Sequence, residues 1–277
     1  MAAPLDSAFV AGPPGTLPVR AVEAELTRLW EEASRAGEAR GGPGVLRACT
    51  LNLVVCAGAE EGAADLTPLL AEVMAEHPCR ALLLLEDAGA GEAVRATIGA
   101  LCHRPAAGDG LVCGEQVHLA AGQGGRRAAA SAALSLLVPG LPVVLWWRDG
   151  SPDTDARFAL LADVADRLLL DCARLGEGGA GLRVLAGLVE RTRPAALGDL
   201  EWAALTPWRS LTAQFFDPPE ARPHLHRLAE VAVTFGPTPA GAAQALLYAG
   251  WLGAPAAHTS GVGRRRGPPR RLAPGRG

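Results

Sequence analysis

The sequence contains no lysine and few aromatic side chains. All 26 basic residues are arginine, and with 29 acidic residues they give a formal net charge of −3. A GC-rich genome explains this bias, so the arginines alone give no evidence for nucleic-acid recognition. The 277 residues include only six tryptophans, five phenylalanines and one tyrosine. Because alanine supplies much of the 49% hydrophobic fraction, we expect closely packed helices against a sheet rich in leucine and valine.

Long hydrophobic runs are also missing. No stretch of about 18 apolar residues is free of charges and helix breakers, so the sequence predicts no membrane span. Residues 1–15 lack the basic start and the apolar stretch of a signal peptide. Residues 258–277 are rich in arginine but have no interleaved aromatics and no adjoining DNA-binding motif, so we expect no nucleic-acid partner. These absences predict a cytoplasmic protein.

The cysteines form no CxxC pair. They are Cys49, Cys56, Cys79, Cys102, Cys113 and Cys172. A disulfide scaffold is not expected in a cytosolic chain of this size. Cys102, His103 and Cys113 have no fourth ligand at a suitable spacing, so no metal site is expected. The pattern therefore predicts buried, inert cysteines.

Familiar catalytic motifs are absent. There is no G-x-S-x-G of a hydrolase and no H-E-x-x-H of a zinc enzyme. Acids at strand ends, such as Glu86 and Asp87, have no visible partner base. A glycine turn before a helix, formed by Gly122, Gly124 and Gly125, is a weak candidate for an anion site, but an ordinary turn is the preferred interpretation. The sequence predicts no catalytic residue, metal or cofactor.

Alternating apolar and amphipathic segments predict the fold. Strands at 47–57 and 79–87 flank a helix at 64–78, which gives a βαβ unit with parallel strands. Residues 141–172 repeat this pattern, and a half-buried strand is expected at 115–121. The sequence therefore predicts an α/β fold, with a mostly parallel sheet built from βαβ units and helices on both faces.

The C-terminal part is predicted to be more helical. Helices are expected around 201–205 and after Pro207, followed by a strand at 229–235 and a helix at 238–253. Beyond that helix the chain lacks periodicity and is expected to be disordered. The predicted organisation is a flexible N-terminus at 1–18, an α/β region at 19–253 with possible sub-units at 19–140 and 141–253, and a disordered tail at 254–277.

Trp146 and Trp147 stand side by side at the end of the apolar run 141–147. Adjacent side chains of a strand point to opposite faces, so the two rings cannot enter the same side of the core. The carboxyl end of a parallel strand is also where open α/β sheets hold their ligands. Two interpretations stay open: both rings cover the helix layers, or at least one lies in a crevice or on a contact surface.

Several stretches occur in an order typical of one protein family. They are AEHPCRALLLLED at 75–87, LPVVLWWRDGSPD at 141–153, LTPWRSLTAQFFDPP at 205–219 and LLYAGWLG at 246–253. Together they resemble the glucose-6-phosphate dehydrogenase assembly protein family, often called OpcA, over about residues 45–253. The chain departs from the family at Cys79, where serine is usual, and beyond 253, where the family continues in ordered sequence.

The resemblance implies a non-enzymatic bacterial protein that has glucose-6-phosphate dehydrogenase as its partner. Such proteins promote assembly or activation of the dehydrogenase as allosteric effectors, and so support NADPH production by the oxidative pentose phosphate pathway. In some members the effect is linked to thioredoxin-type redox control, but no redox cysteine is assigned here. The alternatives are a sugar-phosphate or nucleotide-binding α/β enzyme, or a metabolite sensor.

The motifs of the resemblance supply candidate site residues. Aromatic and arginine side chains are enriched among the residues that dominate binding energy. The partner-contact candidates are Trp146, Trp147, Trp208, Arg209 and Asp217. The positions expected to support the scaffold are His77, Pro78, Arg80, Pro142, Asp166, Asp171, Trp202, Pro207 and Phe216.

Overall fold

The computed structural model describes residues 7–12, 15–39, 45–105, 110–191, 195–225, 227 and 230–258. The strands in these ranges are β1 (Ser7–Ala11), β2 (Leu17–Pro18), β3 (Val45–Arg47), β4 (Leu51–Cys56), β5 (Cys79–Glu86), β6 (Arg95–His103), β7 (Leu111–Ala121), β8 (Val143–Trp147), β9 (Arg167–Leu170) and β10 (Ala196–Asp199). The helices are α1 (Val22–Ala39), α2 (Ala63–Glu76), α3 (Arg126–Ser135), α4 (Ala156–Ala162), α5 (Ala180–Arg191), α6 (Leu200–Ala204), α7 (Thr206–Gln214), α8 (Arg222–Leu225) and α9 (Pro239–His258).

The chain divides into two compact units. Unit 1 comprises Met1–Leu169 and Pro194–Ala196, and unit 2 comprises Leu170–Arg193 and Leu197–Gly277. The division between 140 and 141 that the sequence suggests falls inside unit 1. Each unit is described by itself.

A mostly parallel sheet forms the centre of unit 1. Its strand order is β1–β6–β7–β5–β4–β8–β9, with β2 beside β6 and β3 beside β7. Strand β4 lies between β5 and β8 and is parallel to both, so the two predicted βαβ segments share one sheet. Strands β1 and β7 are antiparallel to β6. The predicted α/β fold class is confirmed.

Helices cover both faces of this sheet. The strand period of two sends Cys79 and Arg80, which are neighbours on β5, to opposite faces. Cys79 joins a buried apolar cluster with side chains of α2, which include Leu66 and Leu70. Arg80 instead reaches Glu23 of α1 on the other face. The near-continuous apolar runs of β4 and β5 follow from this double coverage.

Two local predictions were wrong. Ser7–Ala11 lies in the segment expected to be flexible, but it forms β1 and pairs with β6 from His103 to Gly99. Residues 230–235, expected within a strand at 229–235, have no regular secondary structure. Position 229 and the tail after 258 lie outside the described residues.

The cysteine prediction also needs correction. Cys102 and Cys113 face each other across β6 and β7 and are joined by a disulfide. A chain-local motif such as CxxC cannot reveal this pair, because the antiparallel register brings together residues 11 positions apart. Cys56, Cys79 and Cys172 are free and buried, whereas Cys49 is free and only half-buried.

The sequence predicts no membrane-spanning segment, and the described helices can be compared with that prediction. None of these helices combines the length and the apolar character that a bilayer crossing requires.

Candidate protein-contact surface

Trp147 is a core residue of unit 1. Its side chain is 2% exposed and packs edge to face on Phe158 of α4, with ring centroids 5.2 Å apart. Its indole N–H donates to the carbonyl of Gly150 at 2.9 Å. This correction removes Trp147 from the contact candidates, because the ring has no surface to offer a partner.

Trp146 points to the opposite face of β8 and is half-buried. The guanidinium of Arg148 lies 4.6 Å from the centre of its ring. Arg148 also forms an ion pair with Glu61. Trp146 therefore keeps part of its surface accessible, and a contact role for it stays a prediction.

The carboxyl end of the parallel strands is filled by paired charges. Asp149, just after β8, accepts hydrogen bonds from Arg126 and Arg157. Arg157 also binds Asp155; although burial raises the pKa of this carboxyl, the hydrogen bonds from Arg157 outweigh it and the pKa is lowered. Glu86, a strand-end acid of the sequence analysis, pairs with Arg126 at 3.5 Å. These side chains neutralise one another where α/β enzymes usually hold a substrate.

The glycine turn is not an anion cradle, which corrects the weak candidate Gly122, Gly124 and Gly125. The amide of Gly122 donates to Gly91 at 2.7 Å, and the amide of Gly125 donates to Gly122 at 2.9 Å. The space beside Gly124 is occupied by the carboxyl side chain of Glu92. An anion would meet used donors and a negative charge, so the preferred interpretation as a turn agrees with the geometry.

Several scaffold positions hold the ends of the unit 1 strands. The carbonyls of Pro78 and Pro142 accept from the amides of Thr50 and Asn52, each at 2.8 Å. The carboxylate of Asp166 accepts from the amide of Val143 at 2.8 Å. His77 ends α2 through its own amide, which donates to Val73. These contacts are structural in kind.

Arg80, the fifth scaffold position in unit 1, is 3% exposed and forms the centre of an ion cluster. Its Nε donates to the fully buried Glu115 at 2.7 Å, and its Nη1 donates to the carbonyl of Leu136 at 2.7 Å. Glu115 also accepts from the indole of Trp30 at 2.7 Å and pairs with Arg47 at 2.7 Å. The cluster ties α1 to the sheet.

Unit 2 exposes an apolar stripe on α7. Pro207 occupies the first turn of this helix, as its fixed φ favours. Trp208 and Leu211 of α7, and Phe215 directly after its last residue, follow at spacings of three and four; because Phe215 keeps a helical backbone conformation, the three share one face. They are 64%, 54% and 76% exposed. Such a set on one face is typical of a helix that packs against another protein.

A stacked cation stands beside the stripe. The guanidinium of Arg209 lies 3.5 Å from the centre of the Trp202 ring and donates to Thr206 at 3.0 Å. Trp202 is itself exposed. The pair presents a positive charge and an aromatic face together, which is a composition favoured in binding hot spots.

The two remaining positions of this segment lie after α7. Phe216 is half-buried and lines a cavity of about 290 Å³ together with Trp251. Asp217 is exposed, and its carbonyl accepts from the guanidinium of Arg222. The contact role of Asp217 stays a prediction, since the bond shown is made by its main chain.

Unit 2 also contains a group of buried acids. Asp199 accepts from the amide of Cys172 at 3.0 Å, while its other carboxylate oxygen has no partner among the described residues. Glu201 accepts from Gln244 at 2.6 Å. Burial raises the pKa of Glu201, and the nearby carboxylates Asp171 and Asp199 raise it further, against the hydrogen bond from Gln244. Asp171, expected as scaffold, binds the amide of Ala173 at 2.9 Å.

Sequence reasoning missed Leu211 and Phe215. The sequence does contain a sign of them, because Trp208, Leu211 and Phe215 are spaced by three and four positions, as residues on one helix face are. It was hidden since apolar helical spacing normally predicts a buried face, and only the structure shows that this one is open.

Comparison with known proteins places the chain in a family. Residues 71–187 match the family described as glucose-6-phosphate dehydrogenase subunit N-terminal domain, and residues 195–266 match the corresponding C-terminal domain. The second match continues to residue 266, whereas the resemblance seen in the sequence covers about residues 45–253. It includes the whole of α7.

Curated relatives named OxPP cycle protein OpcA are similar over much of the chain. The protein of Nostoc punctiforme is 31% identical over 84% of this chain and 47% of its own length. That of Synechocystis sp. is 31% identical over 65% of this chain and 37% of its own length, and that of Synechococcus elongatus is 29% identical over 66% and 41%. The chain therefore spans less than half the length of these relatives.

Proposed function

The chain belongs to the glucose-6-phosphate dehydrogenase subunit family, and we propose that it binds glucose-6-phosphate dehydrogenase and promotes assembly or activation of that enzyme. It acts as a non-catalytic partner, and its effect supports NADPH production by the oxidative pentose phosphate pathway. Contact is made through unit 2 rather than through Trp147.

The observation that carries this proposal is the open apolar stripe on α7. Three large apolar side chains on one helix face are more than half exposed. Water contact with them is unfavourable, and covering them with a partner releases about 25 cal/mol for each Å² of apolar surface removed from water. Arg209, stacked on Trp202, adds a charged rim to the same helix. A hydrophobic centre with a polar rim is the usual anatomy of a protein interface.

The paired charges at the carboxyl ends of the parallel strands support the non-catalytic part of the proposal. A general base or nucleophile must be available to a substrate. At the strand ends, Asp149 and Asp155 are instead bound by Arg157, and Arg126 is engaged by Asp149 and Glu86. The side chains that could serve an enzyme here are paired with each other.

The direct test mixes the purified chain with purified glucose-6-phosphate dehydrogenase from the same organism. Size-exclusion chromatography reports the complex, and the rate of NADPH formation reports activation. We expect co-elution and a higher rate with the partner present. No complex and no change of rate at micromolar concentrations of both proteins would refute the proposal.

A pair of matched variants tests whether the stripe on α7 makes the contact. Trp208→Ala should weaken binding by about 2 kcal/mol or more, which is about thirtyfold in Kd. Val189→Ala is the control, because Val189 is 56% exposed in the same unit but lies on α5. Equal losses from both variants would show that the stripe is not the contact surface.

A thermal-shift screen separates the alternatives. It uses glucose 6-phosphate, 6-phosphogluconolactone and NADP as probes. A ligand that binds only the folded chain raises its melting temperature in a saturable way. A large saturable shift without dehydrogenase would favour the enzyme or the metabolite sensor.

A further inference from the structure

Residues 231–235 of unit 2 have the composition of a strand but no strand partner. Their sequence, VAVTF, is rich in β-branched and aromatic residues, which favour strands. Val233 and Phe235 are half-buried while Ala232 and Thr234 are exposed, so residues 232–235 alternate with the period of a strand; Val231 is exposed and stands outside this alternation. Within the described part of the chain, no main-chain hydrogen bond joins 231–235 to another residue.

A cavity runs along the same segment. It has a volume of about 330 Å³, and residues 231–236 form one wall. The other walls come from Leu205, which lies between α6 and α7, from Trp208 of α7, and from α9, including Gln244 and Tyr248. None of the described residues in the lining has a charged side chain. A volume of this size lies in the range of sites that hold small ligands or a few side chains.

We propose that residues 231–235 accept an extended strand of a partner protein, with uncharged, apolar side chains of that strand seated in the adjoining cavity. Two complementary features point to this occupant. The unused main-chain donors and acceptors match another strand, and the uncharged cavity matches its alternate side chains. In strand addition, main-chain bonds provide affinity and such pockets provide specificity. The identity of the partner as glucose-6-phosphate dehydrogenase rests on the proposed function; the site itself does not.

Amide hydrogen exchange with residue resolution tests the proposal on the full chain. The free chain should exchange quickly at 231–235, because these amides have no main-chain acceptor among the described residues. In complex with the dehydrogenase, every second amide in the segment should become protected, since alternate N–H groups of a strand point to the same edge. Uniform protection, or none, in a complex that still forms would overturn the strand proposal and leave the proposed function intact.

Proline variants identify the edge that is used. Ala232→Pro and Val233→Pro each remove one N–H, and the two N–H groups belong to opposite edges of an extended segment. Neither removes a described native hydrogen bond, so both variants should melt like the parent chain. One of them should bind the dehydrogenase about fivefold to tenfold more weakly, the effect of one lost main-chain bond. Ala232→Ser and Val233→Thr keep the amides and should bind like the parent. Parent-like binding by both proline variants would contradict strand addition.

Two further experiments test the proposal if the dehydrogenase does not bind. A synthetic peptide of residues 230–236 of this chain serves as a general strand probe. Protection of alternate amides by this peptide would support the acceptor site without the dehydrogenase, whereas no protection would overturn it. Protection that rises with the concentration of the chain alone would show that a second copy occupies the site, and would refute the choice of a different protein as partner.

Discussion

Substitution of Glu115 tests whether the buried ion cluster determines the stability of unit 1. The carboxylate is fully buried, accepts hydrogen bonds from Arg80 and Trp30, and forms an ion pair with Arg47, each at 2.7 Å. Arg80 is also buried; burial lowers its pKa, but hydrogen bonds to Glu23 and Glu115 raise it more, so its charge is retained. Glu115→Gln preserves the shape of the side chain and removes the charge. Arg80 can still donate to the amide oxygen of the glutamine, but among the described residues its remaining ion-pair partner is Glu23, which is more than half exposed.

The expected loss is large. Removing one partner of a buried ion pair costs about 3–5 kcal/mol, because the other charge stays buried. Domains of this kind are stable by about 5–15 kcal/mol in total. With a urea m-value of about 2 kcal/mol/M, the midpoint of unfolding should fall by about 2 M.

The assay is urea unfolding followed by far-UV circular dichroism, with Glu31→Gln as control. Glu31 pairs with Arg35 on α1 at 3.8 Å, and both side chains are more than half exposed, so the pair should contribute about 0–1 kcal/mol. The control should shift the midpoint by less than about 0.5 M at the same m-value. If Glu115→Gln unfolds at the midpoint of the control, the cluster is energetically neutral and this reasoning is wrong.

Three other outcomes are expected. Trp147→Ala should lower stability by about 3–5 kcal/mol because it opens a core cavity, whereas Trp208→Ala should leave the thermal melt unchanged; similar melts for both would contradict the burial argument. Thiol titration of the unfolded chain should find four reactive groups before reduction and six after it, because Cys102 and Cys113 are bonded; six before reduction would exclude the disulfide. Burial raises the pKa of Glu201 above its ordinary value, so ionisation of this carboxyl destabilises the fold as the pH rises. Glu201→Gln should therefore melt higher than the parent chain at pH 7 but not at pH 4, and equal melts at pH 7 would refute this.

The central strands were predictable because their signals are local. β4 and β5 are apolar on both faces, and the helix between them shows the stripe that covers one face. β6 was missed, since RATIGALCH mixes small and polar residues and shows neither a long apolar run nor a clear turn before it. Its place in the sheet is determined by long-range pairing with β1 and β7.

The site was less predictable than the fold for a related reason. The sequence places Trp147 at the carboxyl end of a strand but does not tell whether another element covers it. Phe158, eleven positions later on α4, packs on the ring and buries it. For Trp208, likewise, the local sequence does not tell whether the ring is covered. The ring is exposed because the described elements of unit 2 leave this side of α7 largely uncovered.

The distribution of exposed aromatics between the units carries the functional argument further. Among the described side chains, the aromatic ones that are exposed are Trp202, Trp208 and Phe215, all in unit 2. In unit 1, Trp147 and Phe158 are buried and the strand-end charges are paired. Within the described part of the chain, unit 2 also has a segment at 231–235 without main-chain hydrogen-bond partners. A fold tolerates such locally unfavourable features mainly where binding compensates them. The exposed aromatics and the unpaired segment of unit 2 therefore support the proposal that this unit is the one that contacts another protein.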